Sequence, residues 1–406
     1  MSAVTLSPPF DVGHLEALLQ EAGVDALVVT SRHNNQYLLG GHRFYWQVPE
    51  EAVGVGRYLP FLAYRAGHLE DTFYVAMGSE QQQLALEPIW VPNVHARGNF
   101  HPAGWRSGER PTGWADANFV ERSCELISSW GVADGTIGIE AAFLPVDAYL
   151  RLQRALPAAR FVDAVPLLQE LRGLKRPDEI ELIRQACEKI VDSMLATFRR
   201  TYAGITMADV AQLMREEATV RGLRFDVCFT TSGSDSVRVP SPKRTWEPGG
   251  LLSLDSGCSY HGYMGDLARM GVLGEPTPVQ LAFLDEVATI QQAARAVIRP
   301  GVPARTIYET GETALMESRF SEYLTFQAHG DGLAHHEFPR LDPRSPHGYS
   351  PVHGYRALQA GMTLSIETWL IHPTEGFVKI EDYGVVTDDG WDAFADRARD
   401  FTVVEI

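Results

Sequence analysis

Asp255, Asp266, His329, Glu367 and Glu381 have the residue types of one ligand set for a pair of metal ions. Four hard carboxylates and a single imidazole suit divalent ions such as Mn, Co, Fe or Zn. Two such ions about 3.5–4 Å apart can share a water and turn it into a nucleophile near neutral pH. The five residues are spread from position 255 to position 381, so the elements that carry them must bring them together.

Asp255 follows the apolar run Leu251-Leu252-Ser253-Leu254, which reads as a buried strand. Asp266 follows Tyr263-Met264-Gly265, after a turn-like stretch at 257–262. Paired as a hairpin about the middle of that stretch, between Tyr260 and His261, the two aspartates are expected to face each other. Glu367 and Glu381 flank His372-Pro373-Thr374-Glu375-Gly376, and their midpoint is Thr374, the centre of this second turn. Directly opposed residues of an antiparallel pair have Cβ atoms about 4.5–5.5 Å apart. Half-buried carboxylates that close repel, and one is driven to protonate unless a cation lies between them. For one such pair a solvated turn is the simpler account, whereas two aligned pairs favour a cation site. A one-residue bulge would break either alignment.

His329 arrives in Gln327-Ala328-His329-Gly330-Asp331-Gly332, where the glycines permit tight backbone beside a ligand. His335 and His336 follow, which makes a dense cluster of imidazoles. The stretch is not the zinc-protease His-Glu-x-x-His motif, because Arg340 stands where the second histidine belongs.

Together these motifs resemble the pita-bread metallohydrolases, the family of methionine aminopeptidase, aminopeptidase P, prolidase and creatinase. The resemblance is carried by Asp255 and Asp266 eleven positions apart, by His329-Gly330-Asp331-Gly332, and by His336-Glu337, whose histidine comes seven positions after His329. The segments Gly361 to Glu367 and Lys379-Ile380-Glu381-Asp382 complete it. Leu171 to Arg184 is similar to the helix that opens the catalytic domain in the prolidase and creatinase branch. Leu15 to Gly41 is similar to the start of that branch's N-terminal domain, and residues 42–130 have no clear counterpart. The resemblance implies that Asp255 chelates one ion, that His329 and Glu367 hold the other, and that Asp266 and Glu381 bridge them. It further implies a metal-bridging hydroxide that attacks the scissile carbonyl, with His336 stabilising the oxyanion. Glu367 would also shuttle a proton to the leaving amine. Asp331 is either a further neighbour of the site or, more simply, a turn residue between two glycines.

Three features depart from the family pattern. Peptidases of the family carry another histidine shortly before the first aspartate, and no histidine occurs between residues 225 and 255. This leaves metal binding intact and puts ordinary peptidase activity in question. Arg238, in that segment, is either a forked cation able to hold a carboxylate or a surface arginine. Glu367 is followed by Thr368-Trp369 where prolidases usually have Pro-Gly. Lys379 replaces an arginine, so a point charge stands where a bidentate fork often precedes the last ligand. Arg238 and Lys379 are thus candidate substrate contacts. Trp46, in Phe44-Tyr45-Trp46, is a third: an aromatic wall for a substrate, with core packing as the plainer account. The turn-rich stretch from Arg340 to Tyr355 is a lid over the site or a plain surface loop.

A chain of 406 residues is too long for one ordinary core. The expected fold class is α/β (α+β), with residues 1–165 as a creatinase-like N-terminal α/β domain. Residues 166–406 would form a pita-bread domain of antiparallel sheet with flanking helices. The net charge of −17 argues against a polyanionic partner such as nucleic acid. The N-terminus lacks the basic start and apolar core of a secretory leader, and no run approaches the ~20 apolar residues of a membrane span. Cys124, Cys187, Cys228 and Cys258 lack zinc or redox spacing and are expected as reduced, buried thiols of a cytoplasmic protein.

The expected activity is metal-dependent hydrolysis of Xaa-Pro peptide bonds, as a dipeptidase or aminopeptidase, by a homodimer holding two divalent ions. Manganese is the first choice of metal, with Co, Fe or Zn behind it. Two alternatives stay open: a metalloenzyme of the same fold acting as hydrolase or lyase on a small non-peptide metabolite, and a non-catalytic binding module. Degenerate relatives usually lose ligands, and this chain keeps all five.

Overall fold

The computed structural model describes residues 7–45, 59–97, 117–234, 237–341 and 356–406. Trp46 and most of the candidate lid at 340–355 lie outside these residues. Contacts divide the chain into two units, Met1–Leu171 and Arg172–Ile406.

The first unit is built on a six-stranded mixed sheet. Its strands are β1 (Ala26–Val29), β2 (Phe61–Arg65), β3 (His68–Met77), β4 (Asn93–Arg97), β5 (Thr136–Ile139) and β6 (Arg160–Asp163), in the order β4-β3-β2-β1-β5-β6. All four residues of β1 are buried, as their unbroken apolar run requires. The helix Val12–Ala22 that precedes it is capped by Asp11, whose carboxylate accepts from the His14 N–H at 2.9 Å. It ends at Gly23 in the left-handed conformation. Val28, Phe61, Phe73, Ile137 and Leu152 anchor the core of this unit.

The second unit is a nine-stranded sheet flanked by the helices Pro177–Phe198, Met207–Val220, Pro278–Ala296 and Arg305–Glu317. Its strands are β7 (Arg224–Ser232), β8 (Leu251–Tyr260), β9 (Tyr263–Leu273), β10 (Leu324–Gly330), β11 (Glu337–Arg340), β12 (Thr363–His372), β13 (Gly376–Val386), β14 (Trp391–Phe394) and β15 (Thr402–Val404). The main path runs β11-β10-β12-β13-β9-β8-β7, with β14 beside β13 and β15 beside β9. Every pairing is antiparallel except that of β15 with β9.

Alternation along the strands sorts this sheet into two faces. Leu364, Ile366, Leu370, Val378 and Ile380 join Phe283, Val287 and Ile290 of helix Pro278–Ala296 in one buried core. Gln291 of that helix donates to the Ile366 and Ile380 carbonyls at 3.1 and 2.5 Å. The intervening residues, Glu367 and Glu381 among them, are thereby committed to the opposite face. On β9 helix Pro177–Phe198 makes the same choice. A Cβ on Gly271 would meet the Phe198 ring at 2.5 Å, and one on Gly265 would meet Ile190 at 2.8 Å. Asp266 and Ala268 therefore face away from that helix.

The hairpin registers differ in how they follow the sequence. Glu367 and Glu381 are directly opposed across β12 and β13, as the midpoint at Thr374 predicts. In the β8–β9 hairpin Asp255 opposes Ala268, and Asp266 opposes Gly257. The turn is only His261-Gly262, both at positive φ (49° and 88°), as a tight two-residue connection demands. Gly257 to Tyr260, expected in the turn, instead extend β8, because β7 pairs with Gly257 and Cys258 from the other side. The two aspartates are diagonal neighbours on one face rather than opposed.

The four cysteines are free and buried. Among the described residues no helix is long and apolar enough to cross a membrane.

Candidate metal centre

Register places three carboxylates in one row across the sheet. Asp255 pairs with Ala268, Ala268 with Glu381, and Glu381 with Glu367. Asp266 lies two residues along β9 from Ala268 and so points to the same face. On β10 Gln327 opposes Glu367, and His329 lies two residues further along, opposite Ser365. The structure thus gathers Asp255, Asp266, His329, Glu367 and Glu381 on one face. One ligand atom from each of Asp255, Asp266 and Glu381 falls within a 4.8 Å cluster, and the same holds for His329, Glu367 and Glu381. Glu381 belongs to both groups. Asp266, His329 and His336 form another such cluster.

The histidine loop is shaped by close packing. A Cβ on Gly330 would lie 2.7 Å from the Phe338 backbone, and one on Gly332 would lie 2.0 Å from Glu337 Oε1. Glu337 is itself buried between Arg172 and Lys175, each 2.9 Å away. His336 adopts a positive φ of 56°, uncommon for a non-glycine residue. Its N–H donates to Asp331 Oδ1 at 2.6 Å. The His336 ring stacks on that of His329 with centroids 3.9 Å apart.

Asp331 is therefore more than a turn residue between glycines. It is fully buried, and its second oxygen lies 3.3 Å from His329 Nδ1. Neither ring nitrogen makes a hydrogen bond of good geometry, and the opposite one, Nε2, lies 3.7 Å from Glu367 Oε1 and 3.8 Å from Glu381 Oε1. A carboxylate behind one imidazole nitrogen and acidic oxygens before the other is the usual setting of a metal-ligating histidine. His335 Nδ1 sits 3.4 Å from Asp266 Oδ2, in space left by the missing side chain of Gly257. Ser365 donates to Glu381 Oε1 at 2.8 Å.

The cluster carries more negative charge than its surroundings tolerate. Burial pushes the Glu381 carboxyl up, to about 7, despite Lys379 beside it. Burial and Glu381 raise Asp266 as well. At His329 burial opposes a charged ring, yet Asp331, Glu367 and Glu381 outweigh it and lift its pKa to about 10. At His335 burial is likewise outweighed, by Asp266 and Asp331, and its pKa rises to about 9. Such a pocket demands cations. The donor set, with a buried imidazole nitrogen lacking a hydrogen bond, fits divalent metal ions.

The two candidate substrate contacts that the structure describes both reach the ligands. Lys379 Nζ lies 2.7 Å from Asp255 Oδ2, 2.5 Å from Glu367 Oε2 and 2.8 Å from Glu381 Oε2. The Arg238 guanidinium packs over the Phe229 ring, 4.5 Å from its centroid, and bonds the same Asp255 Oδ2. The segment that lacks the upstream histidine thus delivers a guanidinium to the first ligand. Sequence reasoning missed Asp331 and Ser365 as supports. The one available signal was their spacing, each two residues from a ligand.

Residues 181–388 match metallopeptidase family M24, and residues 12–174 match the creatinase/prolidase N-terminal domain. An Xaa-Pro dipeptidase of Lactobacillus delbrueckii subsp. lactis is 24% identical over 400 residues, covering 97% of this chain and 98% of that protein. An Xaa-Pro dipeptidase of Pyrococcus furiosus is 27% identical over 230 residues, 55% of this chain and 63% of that protein. Among solved structures, an Xaa-Pro dipeptidase from Bacillus anthracis is similar with a TM-score of 0.78 at 19% identity, over 97% of this chain and 98% of that one. An X-Pro aminopeptidase from Thermotoga maritima is similar with a TM-score of 0.75 at 18% identity, over 96% and 100%. At these identities the structural likeness bears on the fold.

Proposed function

The chain belongs to metallopeptidase family M24 and carries a creatinase/prolidase N-terminal domain, and from that membership we propose that it is a metal-dependent hydrolase of Xaa-Pro peptide bonds in short peptides. The observation that carries this is the row Asp255, Glu381, Glu367 with Asp266 and His329 beside it on one sheet face. In this proposal Asp255 would serve one divalent ion and His329 and Glu367 the other, with Asp266 and Glu381 available to both. A set of four carboxylates and one imidazole favours manganese, with Co, Fe or Zn as substitutes.

Divalent ions held there supply Lewis acidity and make water a nucleophile near neutral pH. The chain's own groups do the rest. Asp331 fixes the His329 ring through Nδ1 and, through the His336 N–H, the backbone that presents the His336 ring. His336 donates to the substrate carbonyl oxygen, where negative charge develops as water adds. Like any amide nitrogen, that of an Xaa-Pro bond leaves as an amine only once a proton reaches it. Glu367, part of the cluster, takes that proton from the attacking water and passes it on. Ser365 holds Glu381 in place.

The proposal includes a homodimer, as in the prolidase and creatinase branch, and a cytoplasmic setting in keeping with four free thiols. The peptidase relatives and the complete ligand set favour this function over a non-peptide substrate or a binding module. The test is turnover of Xaa-Pro dipeptides and Xaa-Pro-Xaa tripeptides by Mn-loaded protein, with Asp266→Asn as control. Metal-dependent release of the residue before proline, lost in Asp266→Asn, is expected. Two bound ions without release of any residue would overturn the peptidase assignment.

A further inference from the structure

Both departures nearest the metal centre converge on one ligand. Asp255 Oδ2 accepts from Lys379 at 2.7 Å and also from Arg238. Lys379 is buried, and its nitrogen is within 2.5–2.8 Å of three different carboxylates. An ammonium has three donors and no acceptor; this one hydrogen-bonds Asp255 Oδ2 and forms ion pairs with Glu367 and Glu381. The two glutamates divide their oxygens between two sides. Oε2 of each is held by Lys379, and Oε1 of each is 3.7–3.8 Å from His329 Nε2.

We propose that Lys379 is an internal counter-cation, whose ammonium holds the cation position bounded by Asp255, Glu367 and Glu381, so that a divalent ion enters on the Asp255 side only by displacing it. An ion beside His329 meets no ammonium among the described residues and has only the His329 proton to displace, because it uses the Oε1 atoms. An ion beside Asp255 needs oxygens that Lys379 already holds, and it needs a carboxylate that Arg238 holds as well. A lysine at this position makes the competition possible. A single nitrogen on a flexible stem can enter a three-carboxylate site, whereas a planar guanidinium spreads its donors over a fork. The function of such a competitor is to make loading stepwise. It also neutralises the carboxylates before metal arrives, when they would otherwise repel.

This inference rests on the metal-ligand assignment proposed above. The test is titration of metal-free protein with Mn2+, followed by calorimetry and by the signal of free Mn2+, for the wild type and for Lys379→Met. The wild type should bind a first ion at least tenfold more tightly than a second. Lys379→Met should tighten the second ion at least tenfold and change the first by less. Metal-free Lys379→Met should lose thermal stability that Mn2+ restores, since the ion takes the ammonium's place. If Lys379→Met does not fold, Lys379→Gln carries the same test. Failure of both to fold at any Mn2+ concentration would overturn the proposal, because no ion could then replace the ammonium. Two ions bound with affinities that Lys379→Met leaves unchanged would also overturn it, with the ligand assignment intact. No Mn2+ bound by the wild type would instead sink the ligand assignment itself.

Discussion

Asp331→Asn tests whether the buried carboxylate behind His329 prepares it as a ligand. The substitution keeps the size of the side chain and removes its charge. In the native site Oδ1 accepts the His336 N–H at 2.6 Å, and Oδ2 lies 3.3 Å from His329 Nδ1. The Asp331 carboxyl is held down at about 2, where burial works against it and the His329 charge prevails. In the neutral ring that would ligate metal once the imidazolium gives up a proton, a carboxylate there favours the tautomer with the proton on Nδ1, which leaves the lone pair on Nε2 facing Glu367 and Glu381. In the asparagine variant the amide oxygen remains with His336, so the NH2 group faces Nδ1. The favoured tautomer then reverses, and Nε2 carries the proton where a metal should bind. Loss of such an outer partner typically costs about 10–100-fold in metal affinity, or about 1.4–2.8 kcal/mol. Competition titration of metal-free protein with Mn2+ and a calibrated chelator reads this directly for the tighter ion. A folded Asp331→Asn protein with wild-type affinity would show that His329 is oriented by the packing of its loop alone.

The same charges make the metal-free protein sensitive to pH. His329 is raised from 6.5 to about 10 and His335 to about 9, so their stabilisation is complete below pH 6.5 and lost as pH rises through 9 to 10. Each unit is worth about 1.4 kcal/mol. The melting temperature of chelator-treated protein should therefore fall by several degrees between pH 6 and 9, and saturating Mn2+ should flatten that slope; equal slopes with and without metal would contradict the assignment. His336→Ala should lower kcat by roughly 10²–10³-fold while leaving metal stoichiometry unchanged, and a loss confined to KM would deny it an oxyanion role. Gly330→Ala places a Cβ 2.7 Å from the Phe338 backbone, which cannot yield as a side-chain tip can. Overpacking of this kind costs about 1–3 kcal/mol, and an unchanged denaturation midpoint would show that β11 shifts freely.

What sequence reasoning could reach was mostly a matter of parity. The β8–β9 hairpin was expected to turn over six residues, and it turns over two, yet Asp255 and Asp266 still share a face. The register moved by two, and side chains repeat every two residues, so the error left the face unchanged. A shift by one would have sent Asp266 against helix Pro177–Phe198. The β12–β13 hairpin had a shorter and better marked turn, and there the opposed glutamates followed directly from their midpoint. Helix Val12–Ala22 and the buried strand β1 carry their apolar spacing within a single segment, which makes them legible locally.

What escaped was set by contacts that no single segment contains. Asp331 looked like a turn residue because Gly330 and Gly332 surround it. Its burial comes from Thr363, which donates its hydroxyl to the Asp331 carbonyl at 2.6 Å, and from the fold-back of His336. Lys379 and Arg238 were read as contacts for a substrate carboxylate, since a cation near a hydrolytic site suggests a partner outside the protein. In the folded chain both cations find carboxylates already present, because three strands converge on Asp255, Glu367 and Glu381. Coulomb attraction in a buried site is strong at these separations and does not distinguish a ligand's carboxylate from the protein's own. The sign of a cationic residue near such a site therefore indicates that negative charge will meet it. Only the register of the strands tells whose negative charge that is.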